Sequence, residues 1–174
     1  AERLTYACAD TVLATNESVR QIAIQRGRKS PDRVFVVRTA PQWNSREWPA
    51  DPALKKGRRY LVGYVGVMGN ADGVHFLIDA AAHLIHQVGR PDVQFLLMGT
   101  GPEYERLIAQ RDRLNLQPFV DLPGRVSNEF LFAALQTMDL GVSCDPINAY
   151  NDHCTMNKVL EYMAFGKPQV LFDL

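Results

Sequence analysis

Short, nearly continuous apolar runs alternate with amphipathic segments along most of this chain. The runs are Val34–Val37, Tyr60–Gly66, Val93–Met98, Phe119–Leu122, Leu140–Ser143 and Gln169–Phe172. Their lack of polar alternation predicts strands covered on both faces, the pattern of a parallel sheet. Between them the apolar period lengthens to that of a helix. From Gly73 to Val88 the apolar positions are Val74, Leu77, Ile78, Ala81, Ile85 and Val88, with His75, Asp79, His83 and His86 opposite. A second helix is predicted over Pro102–Leu114, with Pro102 in its first turn. A third is capped by Ser127 and buries Leu131, Ala134 and Leu135. A fourth is capped by Thr155 and buries Met156, Val159, Leu160, Met163 and Ala164, before Gly166 and Pro168 stop it.

Residues 59–174 therefore read as strictly alternating strands and helices. That order predicts an α/β fold with a Rossmann-like, doubly wound parallel sheet and right-handed crossovers. The last strand lies at the end of the sequence and needs a further helix for cover, so additional elements are expected beyond it. The chain opens on Ala1 in mid-pattern, which points to a segment of a longer protein. Residues 1–42 form a smaller unit, with strands over Asp10–Thr15 and Val34–Val37 and a helix over Ser18–Arg26. Residues 43–58 read as a linker rich in proline, anchored by Trp43 and Trp48.

Charge narrows the choice of partners. The 174 residues carry 19 basic and 19 acidic side chains, so neither nucleic acid nor an anionic lipid surface is attracted by net charge. No apolar run reaches the ~20 residues that span a bilayer, and no signal peptide is visible. Three cysteines, Cys8, Cys144 and Cys154, form neither a disulfide framework nor a zinc pattern, which fits a reducing, cytoplasmic setting. His83 and His86 have no third ligand near them in sequence, so no metal site is expected. Cys144 and Tyr162 read as core residues.

Ligands of open α/β sheets bind at the carboxyl ends of strands, and four such ends are unusual here. Gly66-Val67-Met68-Gly69-Asn70-Ala71-Asp72-Gly73 would let backbone approach a phosphate before a helix start. Met98-Gly99-Thr100-Gly101-Pro102-Glu103 permits a similarly close approach. Gly124-Arg125-Val126-Ser127 offers a cation. The fourth is a long polar loop, Cys144 to Cys154, running into Thr155-Met156-Asn157-Lys158. Loops of that length in compact domains are usually functional. Lys158 in a first turn opposes the helix dipole at a cost of roughly 0.3–1 kcal/mol, which a bound anion would remove.

Together these segments resemble glycosyltransferase family 4, the large retaining group with the GT-B fold. The most specific stretch is Glu161-Tyr162-Met163-Ala164-Phe165-Gly166-Lys167-Pro168. The likeness covers residues 60–174 well and residues 9–41 more loosely, as the end of the family's acceptor domain. It implies that 59–174 is the donor-binding domain. Glu161 would hold the donor ribose, and Thr155, Met156 and Asn157 would face the diphosphate. Lys158 and Arg125 would stabilise the leaving diphosphate. Gly124 to Ser127, Val126 included, would receive the base; Gly66, Gly69, Gly99 and Gly101 would give the donor close approach. Two departures stand out. Asp72 precedes Gly73 where the family often has a lysine, and His153 replaces the first glutamate of a Glu-x7-Glu pair, with Asp152 beside it as a substitute carboxylate.

The implied reaction passes a sugar from a UDP- or GDP-linked donor to a carbohydrate or lipid-linked acceptor hydroxyl, with retention, in bacterial polysaccharide or glycolipid synthesis. Neither a cofactor nor an essential divalent metal is expected. Peripheral membrane contact would come through regions outside this sequence. A nucleotide-sugar epimerase of similar shape and a non-catalytic nucleotide-binding module are the alternatives. A receiver-like domain needs an acidic cluster where Gly66 to Gly69 stands. An NAD-dependent dehydrogenase needs Gly-x-Gly-x-x-Gly there.

Overall fold

A computed structural model describes residues 2–41 and 48–173; Trp43 lies outside them. The larger unit is a five-stranded parallel sheet built from β3 (Tyr60–Val65), β4 (Val93–Met98), β5 (Val120–Gly124), β6 (Leu140–Ser143) and β7 (Gln169–Leu171). Its order is β5-β4-β3-β6-β7, so β3 is central. β3 and β4 pair without a break from Tyr60↔Val93 to Val65↔Met98. All six residues of β4 are buried, including Gln94, whose amide is satisfied by Arg58 and Asp121. The edge strand β5 carries Pro123 and a register shift against β4, between Leu96 and Met98.

Helices α3 (Val74–Ala82), α4 (Tyr104–Arg113), α5 (Asn128–Thr137) and α6 (Asn157–Ala164) connect the strands. One sheet face packs Val62, Tyr64, Phe95 and Leu97 against Ile78 of α3 and Leu107 of α4. The other packs Leu61, Leu96 and Met98 against Ala134, Leu135, Met138 and Tyr162. Each large side chain so buried contributes roughly 1.5–3 kcal/mol. Ser127 caps α5 as expected, accepting from the Phe130 amide.

The structure corrects three helices. The helix predicted through Val88 gives way to a π-turn over His83–Gln87, which keeps Ile85 buried and turns Val88 outward. Pro102 precedes α4 rather than opening it. Thr155 does not cap α6: the helix starts at Asn157, and Met156 occupies the cap without a side-chain bond. Lys158 and Tyr162, one turn apart, face inward while Met163 is exposed. Tyr162 is held there because its hydroxyl accepts from the Val65 amide and donates to the Val142 carbonyl. Tyr162→Phe is expected to lower stability by about 1–3 kcal/mol, since both backbone groups lose a buried partner. Urea unfolding that matches the parent chain would contradict this.

The smaller unit comprises α1 (Glu2–Cys8), β1 (Val12–Ala14), α2 (Glu17–Gln25) and β2 (Val34–Val36). β1 and β2 pair in parallel over a core of Ala14, Ala23 and Val34. The side chain of Asn16 caps α2 by accepting from the Val19 amide. Trp48 packs its ring 4.7 Å from that of Phe132 on α5, so this linker tryptophan is an anchor.

Candidate functional site

Strands β3, β4 and β5 run outward to one side of the sheet centre, and β6 and β7 to the other. The order reverses between β3 and β6, and at such a switch point the loops diverge and leave a crevice. The crevice here has a volume of about 520 Å³. Its walls are Val65–Val67, Ala71 and Asp72 on one side, and Asp145, Tyr150, Asn151, Cys154–Lys158 and Glu161 on the other.

One device ties the two walls together and a second braces the wall that carries α6. Asn151, 2% exposed, donates from Nδ2 to the carbonyls of Ala71 and Pro146 at 2.9 and 2.8 Å, tying the long loop to the first. Its own amide is accepted by Asn148 Oδ1 at 2.9 Å. Beneath them Lys158 Nζ donates to Asp145 Oδ1 and Oδ2 at 2.8 and 2.9 Å. These side chains are 8% and 2% exposed. Ser143 Oγ donates to Asp145 Oδ2, and Lys158 Nζ lies 5.4 Å from the centre of the Tyr64 ring.

This pair corrects the sequence reading of Lys158. The helix-dipole penalty is offset by a carboxylate from the same chain, so the first-turn lysine does not require an exogenous anion. Two of its three N–H bonds go to Asp145, and the crevice can draw only on the remaining one. Two carboxyls of the crevice are weaker acids than free ones. Burial raises the Asp72 carboxyl above its usual range, against the opposing Gly69 amide, which donates to it at 2.9 Å, and the Lys158 charge. Burial likewise raises Glu161, with Lys158 opposing more weakly. Cys144 is pushed up to about 12, chiefly by burial, and its Sγ donates to the Asp72 carbonyl, consistent with a core thiol.

The other glycines serve the loops themselves. At Gly99, with φ of +140°, a Cβ would stand 1.8 Å from the Gly66 carbonyl oxygen. At Gly101 it would stand 2.5 Å from that of Met68. Both let the second loop lie against the first, where the Gly66 and Met68 amides donate to Met98 and Thr100. Gly66 itself, at φ of +153°, has space for a Cβ only against Tyr64 Oη and Lys158 Cε, at 3.0 and 3.2 Å.

Of the residues expected at the site, the crevice gathers Gly66, Thr155, Met156, Asn157, Lys158 and Glu161. Gly69 instead borders a hollow of about 490 Å³ between α3 and α4. Arg125 is exposed outside the crevice, and Val126 packs into the core beside α5. Asp152 and His153 sit exposed on a 3-10 turn and do not line the crevice. Asn157 and Glu161 also border an adjoining hollow of about 360 Å³ beneath Thr39, Ala40 and Pro41. Sequence reasoning missed Asp145 and Asn151. The signal for Asp145 was a carboxylate two residues past a buried strand serine. Among the described residues no cluster of three or more His, Cys, Asp or Glu could hold a metal. Nor is any described helix long and apolar enough to cross a membrane.

A doubly wound parallel sheet with its crevice at the switch point defines the Rossmann-like class of α/β domains. Residues 59–174 match the family described as Glycosyl transferases group 1, and the chain belongs to that family. Solved structures agree in fold. WaaG, a glycosyltransferase involved in lipopolysaccharide biosynthesis, superposes with a TM-score of 0.71 at 16% identity, over 91% of this chain and 43% of that one. Anabaena Alr3699/HepE in complex with UDP and glucose gives 0.69 at 22% identity, over 97% and 46%. A TarM mutant from S. aureus, in complex with Fondaparinux, alpha-GlcNAc-glycerol and UDP, gives 0.68 at 17% identity, over 99% and 31%. The chain thus spans less than half the length of each, and its larger unit is the Rossmann-like domain of the GT-B fold. No curated protein sequence matches it significantly.

Proposed function

We propose that residues 59–174 form the donor-binding domain of a retaining glycosyltransferase, one that takes a sugar from UDP to a carbohydrate acceptor hydroxyl. The observation that carries this reading is the open crevice at the switch point, with the start of α6 and Glu161 on one wall. UDP bound to Alr3699/HepE and TarM, which share the fold, supports the choice of nucleotide.

The chemistry follows from the wall. The Val159 amide is taken by the Met156 carbonyl, which leaves the Asn157 and Lys158 amides, at the positive end of the helix dipole, to face a ligand. They meet the diphosphate as its charge grows on departure of the sugar. Lys158 adds its remaining N–H, its net charge being shared with Asp145. The amides therefore carry more of the anion than the lysine does, and no divalent ion is required. Glu161, four residues into the helix, accepts from the ribose hydroxyls.

The test is calorimetric titration of the chain with UDP in the presence of EDTA. UDP should bind, and Glu161→Ala should weaken it about 10–100-fold, the worth of hydrogen bonds to a charged acceptor. Acidity gives a second reading. Because burial raises the Glu161 carboxyl, its charge is lost at higher pH than in a free glutamate. Affinity should fall as pH drops through that raised value, more steeply than in Glu161→Gln, where Asp72 and the UDP phosphate still titrate but the ribose acceptor does not. Folding responds with the opposite sign: a raised carboxyl stabilises the fold at low pH, and that contribution is lost as pH rises through the raised value. No UDP binding by the parent chain, or equal affinity in Glu161→Ala, would overturn the assignment.

A further inference from the structure

One side chain of the smaller unit hydrogen-bonds to the backbone that leads into the crevice wall. Asn16 is 9% exposed. Its Nδ2 donates to the His153 carbonyl at 2.7 Å and reaches Thr155 Oγ1 at 3.4 Å, across 137 and 139 residues of sequence. Its Oδ1 accepts from the Val19 amide at 2.8 Å. The amide orientation follows from these partners. Turned over, it would set NH2 against an N–H and its oxygen against a carbonyl. One buried side chain therefore both starts α2 and fastens the backbone immediately before α6.

Apart from Asn151, which anchors the turn from its other end, that backbone has few other restraints. Asp152 and His153 are exposed, and Thr155 makes no cap bond to α6. The His153 amide bonds only within its own turn, to the Tyr150 carbonyl, as Cys154 does to Asn151. Thr155, Met156 and Asn157, which follow it directly, line the crevice.

We propose that Asn16 is a positioning residue. By holding the His153 carbonyl and the Thr155 hydroxyl, it sets the amino end of α6 at the place where a diphosphate docks, and so joins the smaller unit to donor binding. This rests on the donor-site reading above. It goes beyond that reading in assigning a role in diphosphate recognition to a residue of the smaller unit.

Asn16→Ser tests it, because serine is a comparable helix cap yet too short to reach His153. Asn16→Asp serves as a second variant. It retains the cap oxygen but presents an acceptor to the His153 carbonyl. The full chain and both variants are titrated with UDP and with uridine, their folded state checked by circular dichroism. Both variants should bind UDP about tenfold more weakly and uridine as the parent does, one hydrogen bond's positioning being lost at the diphosphate alone. A merely structural role would lower Tm and leave the affinity for UDP unchanged in the folded variants. That outcome, or an equal loss for UDP and uridine, overturns the proposal while the donor-site reading stands. Absence of UDP binding by the parent chain removes both.

Discussion

Replacing Lys158 with methionine is expected to destabilise the chain by about 3–5 kcal/mol, the usual consequence of stranding one member of a buried ion pair. Asp145 is 2% exposed, and without the ammonium only the Ser143 hydroxyl remains to it. For a chain of this length the loss corresponds to a fall in Tm of roughly 10 °C. Asp145→Leu alone should be similarly damaging, because it strands the lysine. The double variant should recover most of the loss, since a packed apolar pair of similar volume removes both desolvation penalties. Thermal unfolding of the four proteins measures the coupling. If Lys158→Met alone matches the parent, the pair is not the structural post described above. UDP titration of the folded double variant then isolates what the remaining N–H of Lys158 gives the ligand.

The second large effect is expected at a residue that does not line the crevice. Gly99→Ala places a methyl 1.8 Å from the Gly66 carbonyl oxygen at a φ of +140°. No rotamer relieves a clash of backbone with Cβ, so the first loop must move or the strand ends must part. A destabilisation of about 4 kcal/mol or more is expected, in the range reserved for core or backbone disruption. Any folded fraction should bind UDP poorly, because Gly66 is displaced. Gly57→Ala is the control. Its φ is +76° but no atom lies within 4 Å of the added Cβ, so only about 1 kcal/mol of backbone strain is expected. Comparable Tm values for the two variants would refute the close-packing account of Gly99.

The inner strands of the larger unit were legible because their burial is two-sided. Val93–Met98 and Leu140–Ser143 agree with β4 and β6 to the residue, and the other runs differ from their strands at the ends only. The start of α6 was not legible. Thr155 has the chemistry of a cap, but its hydroxyl lies toward Asn16 on a distant element. Met163 reads as core by periodicity and is exposed, because the hydrogen bonds of Tyr162 and Lys158 decide which way the helix turns. The crevice residues gathered from sequence, Gly66 and Thr155 to Glu161, lie in two local segments that a strand-to-helix junction brings together automatically. Asp145 and Asn16 act through pairings over 13 and 137 residues, and no periodicity encodes those. Arg125 shows the reverse. Its position after a strand marks a loop, but not the direction that loop takes.

The margins of the five-stranded sheet are unequal. On the β5 side, Pro123 has no N–H to offer a newcomer, and the shifted register spoils the flat hydrogen-bonding row that an added strand would need. On the β7 side, Val170 and Leu171 lie 57% and 47% exposed on a short ribbon with no such interruption. Growth of this sheet, whether by more of its own polypeptide or by unwanted self-association at high concentration, is therefore directional: one flank is closed to it and the other is receptive.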